Sequence, residues 1–290
     1  MSSNKKQGPL ASTHIGPAPE TGSSKTRHEL NIRDLGRGEP TLVFIHGFSC
    51  SLDDWDAQVQ KLSEFHRCIA VDLPGHGESP KSDQPTISAL AEAVLETLKF
   101  SSVKNAVLVG HSMGCRVQSE VYRQAPELIA GQIYVDGSII QVSPDVARKL
   151  MQNRYATVGF DGVVGALYDD FYVDSTPAKV RDFVNARRST VNPNFHPQLL
   201  TDVFAWDAEY SADVLRSLRV PVLVIQSTAI GIDLKRVPIT PGVETPWMRL
   251  VKESVPDACI ALVEGVGHFT MLEAPDQTTQ LIGDFVDSLL

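Results

Sequence analysis

"VLVGHSMGCRV", residues 107–117, places one serine between a histidine and a methionine, with glycines two residues to either side. An apolar run ends at Gly110, and a helix-like stretch begins at Met113. A hydroxyl at the tip of a buried strand is either part of a turn or a nucleophile. The pattern G-x-S-x-G between strand and helix favours the nucleophile. Such a serine sits on a strained elbow that projects its oxygen above a sheet, where side chains in place of the glycines would strike neighbouring backbone.

Similar apolar runs lie on both sides of this stretch. "TLVFIHG" (41–47), "RCIAVDLPG" (67–75), "NAVLVGHS" (105–112) and "GQIYVDG" (131–137) are each stopped by Gly or Pro, and the pattern resumes at "VPVLVIQS" (220–227) and "CIALVEGVG" (259–267). Continuous rather than alternating apolar runs suit parallel strands buried on both faces. Helix-like segments at 53–65, 86–100 and 113–125, with a last one at 275–290, alternate with them. The expectation is an α/β fold with a doubly wound, mostly parallel sheet. Between Gly137 and Ser211 the reading is helical throughout, at 144–157, 161–172, 177–190 and 197–210, with prolines at the expected helix starts. This insertion, residues 138–210, is read as a helical cap over the strand ends. Residues 27–137 and 211–290 form the core, and the Ser-, Gly- and Pro-rich residues 1–26 read as a mobile tail.

With 290 residues, a net charge of −9 and no long apolar run, the chain is expected to bind neither nucleic acid nor an anionic membrane and to have no membrane span. Four cysteines show neither metal-type spacing nor a disulfide framework, so a cytoplasmic setting is expected. Cys115, three residues past Ser112, reads as a small buried side chain. "GRGEP" (36–40) precedes a strand and is a turn rather than a phosphate cradle.

An acyl-transfer serine needs backbone N–H groups aimed at a developing oxyanion. Met113, at a helix start, offers one; Phe48, in the loop "FIHGFSCS" (44–51), offers the other, with Gly47 allowing close approach. His46 reads as a brace for that loop. Of the eight histidines, only His268, in "VEGVGHFTMLEAPD", follows a late strand and precedes the last helix, which makes it the expected general base. His76 and His111 read as structural, and His196 as a surface residue of the insertion.

These motifs, "HGF", "DLPGHGES", "GHSMG" and "GVGHFTMLEAPDQ", resemble in order and spacing those of the α/β-hydrolase superfamily. The resemblance covers residues 30–290 and implies a helical cap after the sixth strand. It also implies Ser112 as nucleophile, His268 as base, and the amides of Phe48 and Met113 as oxyanion hole. Where the family usually carries its acid, after "VPVLVIQS", this chain has Ala229 and Ile230. Asp136, ending the strand after the nucleophile, returns to the same sheet edge as Ser112 and is the preferred acid. Asp233, further into the following loop, is the alternative; Glu264 is a third.

The sequence therefore reads as a cofactor-independent, metal-free serine hydrolase acting on a carboxylic ester or lactone of a medium-sized, largely apolar small molecule. The alternatives are hydrolysis of a C–C bond in a β-diketone and a slow ligand-binding receptor of the same fold. Trp206, Tyr168 and Trp247 are candidate substrate contacts. Trp247 stands just inside a helix expected to be capped by Thr245 and to begin with Pro246. The oligomeric state is left open.

Overall fold

The computed structural model describes Met1 and residues 30–139, 141–230 and 235–290. Apart from Met1, the tail expected over residues 1–26 lies outside the described residues. The first half of the chain forms β1 (Ile32–Leu35), β2 (Thr41–Ile45), α1 (Asp56–Leu62), β3 (Cys68–Val71), α2 (Ile87–Phe100), β4 (Ala106–His111), α3 (Met113–Gln124) and β5 (Ile129–Val135). There follow α4 (Pro144–Asp169), α5 (Ala178–Ala186), α6 (His196–Ser217), β6 (Val222–Gln226), β7 (Thr228–Ile230) and β8 (Arg236–Pro238). The chain closes with α7 (Pro246–Ser254), β9 (Cys259–Leu262), α8 (Thr270–Glu273) and α9 (Pro275–Asp287).

Seven strands form one sheet in the order β1-β3-β2-β4-β5-β6-β9, parallel except for β1. Every residue of β2, β3 and β4 is buried, as their continuous apolar runs require. Alternate side chains serve opposite faces. Val43, Ile45, Leu108 and Tyr134 join α2 and α3 on one side. Leu42, Phe44, Val109 and Ile133 join Trp55, Val59 and Phe285 on the other. Helix α2 starts where the Thr86 hydroxyl accepts the Ala89 N–H at 3.2 Å. It buries a stripe of Ile87, Leu90, Ala91, Val94 and Leu98.

From β2 the chain crosses to β3 on one side, then to β4 on the other. The boundary between β2 and β4 is the topological switch point, where open α/β sheets receive ligands. The loop after β2 and the turn after β4 meet there.

Helices fill the interval between β5 and β6. By count this insertion follows the fifth described strand rather than a sixth, because β1 alone forms the antiparallel edge among the described residues. The two helices expected at 144–157 and 161–172 are both present within α4, separated by a kink at Gly159 whose φ of 68° and ψ of 173° are not helical. Helix α6 runs on to Ser217, past the boundary placed at residue 210, because Ser211, Val214 and Leu215 continue its buried stripe. The stretch after β6, expected as loop, contains the antiparallel ribbon β7–β8. Strands of three residues, one ending in proline, fall below what periodicity reveals. No helix among the described residues is long and apolar enough to cross a membrane.

Candidate active site

Ser112 connects β4 to α3 with φ 54° and ψ −113°, a strained conformation for a residue with a side chain. The turn is tight enough that a Cβ on Gly114 would strike the Ile45 carbonyl oxygen, and one on Gly110 would strike the Gly114 carbonyl. The elbow leaves Ser112 only partly covered while its neighbours are buried. Arg116, one turn into α3, donates from Nη1 to the Ser112 carbonyl at 3.0 Å and so fixes the elbow from below.

His268 lies between β9 and α8, with 1% of its surface exposed. Its Nε2 is 2.8 Å from Ser112 Oγ and its Nδ1 is 2.6 Å from Asp136 Oδ2. An ionised carboxylate only accepts, so Nδ1 carries the proton and Nε2 is free to accept the serine hydroxyl. Burial, then the Arg236 cation, push the imidazole pKa down to about 4 against the opposing pull of Asp136. The ring is neutral at pH 7, as a base must be.

Asp136, at the tip of β5, is fully buried and has φ 44°. Its Oδ1 accepts from Gln226 Nε2 at 3.0 Å, Ser227 N at 3.0 Å and Thr228 N at 2.7 Å. Its Oδ2 accepts from Thr228 Oγ1 at 2.6 Å and Arg236 Nη1 at 3.3 Å in addition to His268. Burial raises its pKa, but the hydrogen bond and charge of His268, the charge of Arg236 and the Thr228 hydroxyl bring it down to about 2. The other expected acid, Asp233, lies outside the described residues.

The loop after β2 packs directly on the elbow: a Cβ on Gly47 would come within 3.3 Å of Ser112 Cβ. Phe48 is buried beside it, as is Met113 at the helix start. His46 braces this loop, donating from Nδ1 to the Gly47 carbonyl at 2.7 Å and accepting the Leu73 N–H at Nε2 at 3.0 Å. His111 likewise donates from Nε2 to the His268 carbonyl at 2.9 Å. His196, expected at the surface, is buried at 1% exposure, edge-on to Phe48 and His76. Its helix position alone did not reveal that the start of α6 packs against the loops after β2 and β3. The Cys115 thiol donates to the Gly110 carbonyl at 3.1 Å, and burial raises its pKa to about 12. Among the described residues no three His, Cys, Asp or Glu side chains gather as metal ligands.

Trp206 and Trp247 border one small cavity beside Arg116, Ser138 and Asp207, and Tyr168 stands apart from them. Trp206 donates from Nε1 to Glu120 Oε2 at 3.0 Å, pinning α6 to α3. Tyr168 shares a 2.8 Å hydrogen bond with Ser49, the residue after Phe48. Trp247 lies under the turn at Gly137, where an added Cβ would meet its Nε1 at 2.7 Å, and packs edge-on against Tyr134 at 5.3 Å. Trp247→Ala is therefore expected to destabilise the fold by about 3 kcal/mol or more, the scale for removing a buried indole. Thermal melts read the loss, and preference among ester chain lengths is expected to stay unchanged. Altered preference at an unchanged melting temperature would put Trp247 in the pocket instead.

Sequence reasoning missed how the insertion reaches the site. The Phe171 ring stacks on His268 at 5.3 Å and 29°, and its carbonyl accepts the His268 N–H at 3.0 Å. Thr176 Oγ1 donates to Glu273 Oε2 at 2.7 Å, the same oxygen that accepts the Gly267 N–H at 2.9 Å. Arg187 pairs with the buried Asp54, just beyond the Phe48 loop. Asp207 of α6 takes Arg116 through both carboxylate oxygens, at 2.9 and 2.6 Å. Each contact joins residues far apart in sequence, and no local pattern announces them.

Comparison with known proteins places this geometry in a family. Residues 42–281 match the Alpha/beta hydrolase family. The dihydrolipoyllysine-residue acetyltransferase component of the acetoin cleaving system of Pseudomonas putida is 39% identical over 116 residues, 40% of this chain and 31% of that protein. The chain thus matches about a third of the length of such relatives. A 2-hydroxy-6-oxononadienedioate/2-hydroxy-6-oxononatrienedioate hydrolase of a Pseudomonas species is 25% identical over 291 residues, covering 92% of this chain and 98% of that one. The thermophilic esterase of Thermogutta terrifontis shares the fold at TM-score 0.71 and 23% identity, covering 90% of this chain and 93% of its own. With its elbow, its sheet order and a family match across most of its length, the chain belongs to the alpha/beta hydrolase family.

Proposed function

We propose that this protein is a cofactor-independent serine hydrolase that cleaves a carboxylic ester or lactone of a medium-sized, largely apolar small molecule. The observation that carries this reading is the unbroken chain from Ser112 Oγ through His268 to Asp136, at 2.8 and 2.6 Å. His268 Nε2 takes the hydroxyl proton as Ser112 Oγ attacks the carbonyl carbon, and Asp136 steadies the imidazolium. The oxyanion is received by the amides of Phe48 and Met113. Collapse expels the alcohol, protonated by His268, and leaves an acyl-serine. Water, deprotonated by the same imidazole, then releases the acid and restores the hydroxyl. Residues 138–210 serve as cap. The apolar character of the substrate is supported by Phe48 and Met113, which are buried beside Ser112.

A second reading, hydrolysis of a C–C bond in a diketone, is favoured by the near full-length relative named as a hydrolase of a 2-hydroxy-6-oxo diacid, a substrate with no ester in its name. A panel of p-nitrophenyl esters, lactones and β-diketones, run beside fluorophosphonate labelling, separates the readings. Ester or lactone turnover with labelling at Ser112 is expected. Turnover of diketones alone would favour the second reading, and labelling with no turnover would favour a ligand-binding role.

A further inference from the structure

The proposed triad has an additional cation whose position the motifs do not announce. Arg236, the first residue of β8, keeps only 8% of its side chain exposed. Its Nη1 lies 3.3 Å from Asp136 Oδ2 and 3.0 Å from Thr228 Oγ1, and Thr228 Oγ1 in turn donates to the same carboxylate oxygen at 2.6 Å. The oxygen that orients His268 is thus shared with a guanidinium, directly and through a polarised hydroxyl. The backbone holds this arrangement: β8 pairs Arg236 with Ile230 of β7, and the Arg236 N–H donates to Asp170 Oδ1 at 2.7 Å.

In a triad without such a cation, the carboxylate charge is spent on the imidazolium and makes the histidine more basic. Here a permanent positive charge lies against the same carboxylate, in surroundings where little water screens it. We propose that Arg236 is a positioning residue of the triad: it shares the Asp136 carboxylate with His268, holds it in register, and keeps the imidazole unprotonated in mildly acid solution. The proposal rests on the serine-hydrolase reading above.

The groups facing His268 from each packed element are consistent with this balance. Asp136 opposes the effect from β5, and Arg116 of α3 adds a weaker positive influence whose charge is taken up by Asp207. His111 of β4 has its ring 4.5 Å away and is held neutral by burial. Glu273 of α8 is engaged with Gly267 and Thr176. Asp170, at the end of α4, is among the charges that act on Arg236. On the imidazole, burial acts first and Arg236 next, giving a pKa of about 4.

Labelling of the full chain by a fluorophosphonate, followed from pH 4 to 9, reports the availability of the base without knowledge of the substrate. The wild type is expected to lose reactivity only as the pH approaches about 4. In Arg236→Met the acid limb is expected to rise by about one pH unit or more, the usual effect of one nearby charge, and the plateau rate to fall as the carboxylate loses its register. Arg236→Lys restores the charge and is expected to return the limb toward wild type. If the methionine variant does not fold, Arg236→Gln keeps a donor without charge and is expected to give the same upward shift. A limb that stays in place in the neutral variants, or moves as far in Arg236→Lys, overturns the proposal. Ser112→Ala run alongside keeps the two readings apart. Labelling of that variant at the wild-type rate overturns the serine reading and this inference with it, whereas Ser112-dependent labelling with an unmoved limb overturns this inference alone.

Discussion

Ser112→Ala is expected to lower kcat by about three orders of magnitude or more, the scale for removing a nucleophile. The change deletes one oxygen from a partly exposed elbow, and the backbone around it is held by contacts the side chain does not make. The Ser112 carbonyl still accepts from Arg116 at 3.0 Å, and its N–H still donates to the Val135 carbonyl at 3.1 Å. The melting temperature should therefore stay close to wild type. Steady-state kinetics on the best ester of the panel, with a thermal melt of the same preparation, read both quantities. Activity within tenfold of wild type would remove Ser112 from the mechanism.

Asp136→Asn should be nearly as damaging to turnover, by up to about 10⁴ in kcat on the serine-protease precedent, and far worse for stability. The amide oxygen is required on the side where Gln226, Ser227 and Thr228 donate. The amide nitrogen then faces His268 Nδ1, which must turn from donor to acceptor; the proton moves to Nε2, where it blocks uptake of the serine hydroxyl proton. Arg236 meanwhile loses its buried anion. Breaking a buried pair by removing one partner costs about 3–5 kcal/mol. Asparagine tolerates the positive φ of this position, so the fall reflects charge rather than backbone strain. Kinetics and melts of Asp136→Asn beside Asp233→Asn discriminate the two acids. A large loss in Asp233→Asn with a mild one in Asp136→Asn would reverse the assignment.

The sheet and the elbow were legible because they rest on local signals: apolar runs of fixed length, glycines at tight turns, a serine between them. The positions of Asp136 and His268 follow from topology, since parallel strands deliver their C-terminal ends to one edge. What could not be read depends on where distant segments land. Arg236 is one arginine in a polar stretch, and only the β7–β8 ribbon aims it at Asp136. Phe171 is one aromatic among several in the insertion, and nothing in its neighbours marks it as the ring over His268. Trp206 and Trp247 have the composition expected of a pocket; one fastens two helices, the other supports a turn, and both border one small cavity. Residue type alone does not separate those roles.

The insertion is fastened to the rest of the molecule through charges as well as through shape. Asp54 and Arg187, Arg116 and Asp207, and Glu273 with Thr176 each have one member in the insertion and one beside the proposed machinery. Such an insertion is not an interchangeable cassette. A chimera that exchanged it for foreign helices would strand Asp54, Arg116 and Glu273 in low-dielectric surroundings without their partners, and would also strip the ring from His268. Under the proposed cap role, variants of this chain with an altered substrate range are then expected to carry substitutions between the anchor points. The helices can change what they present, but not where they are tied.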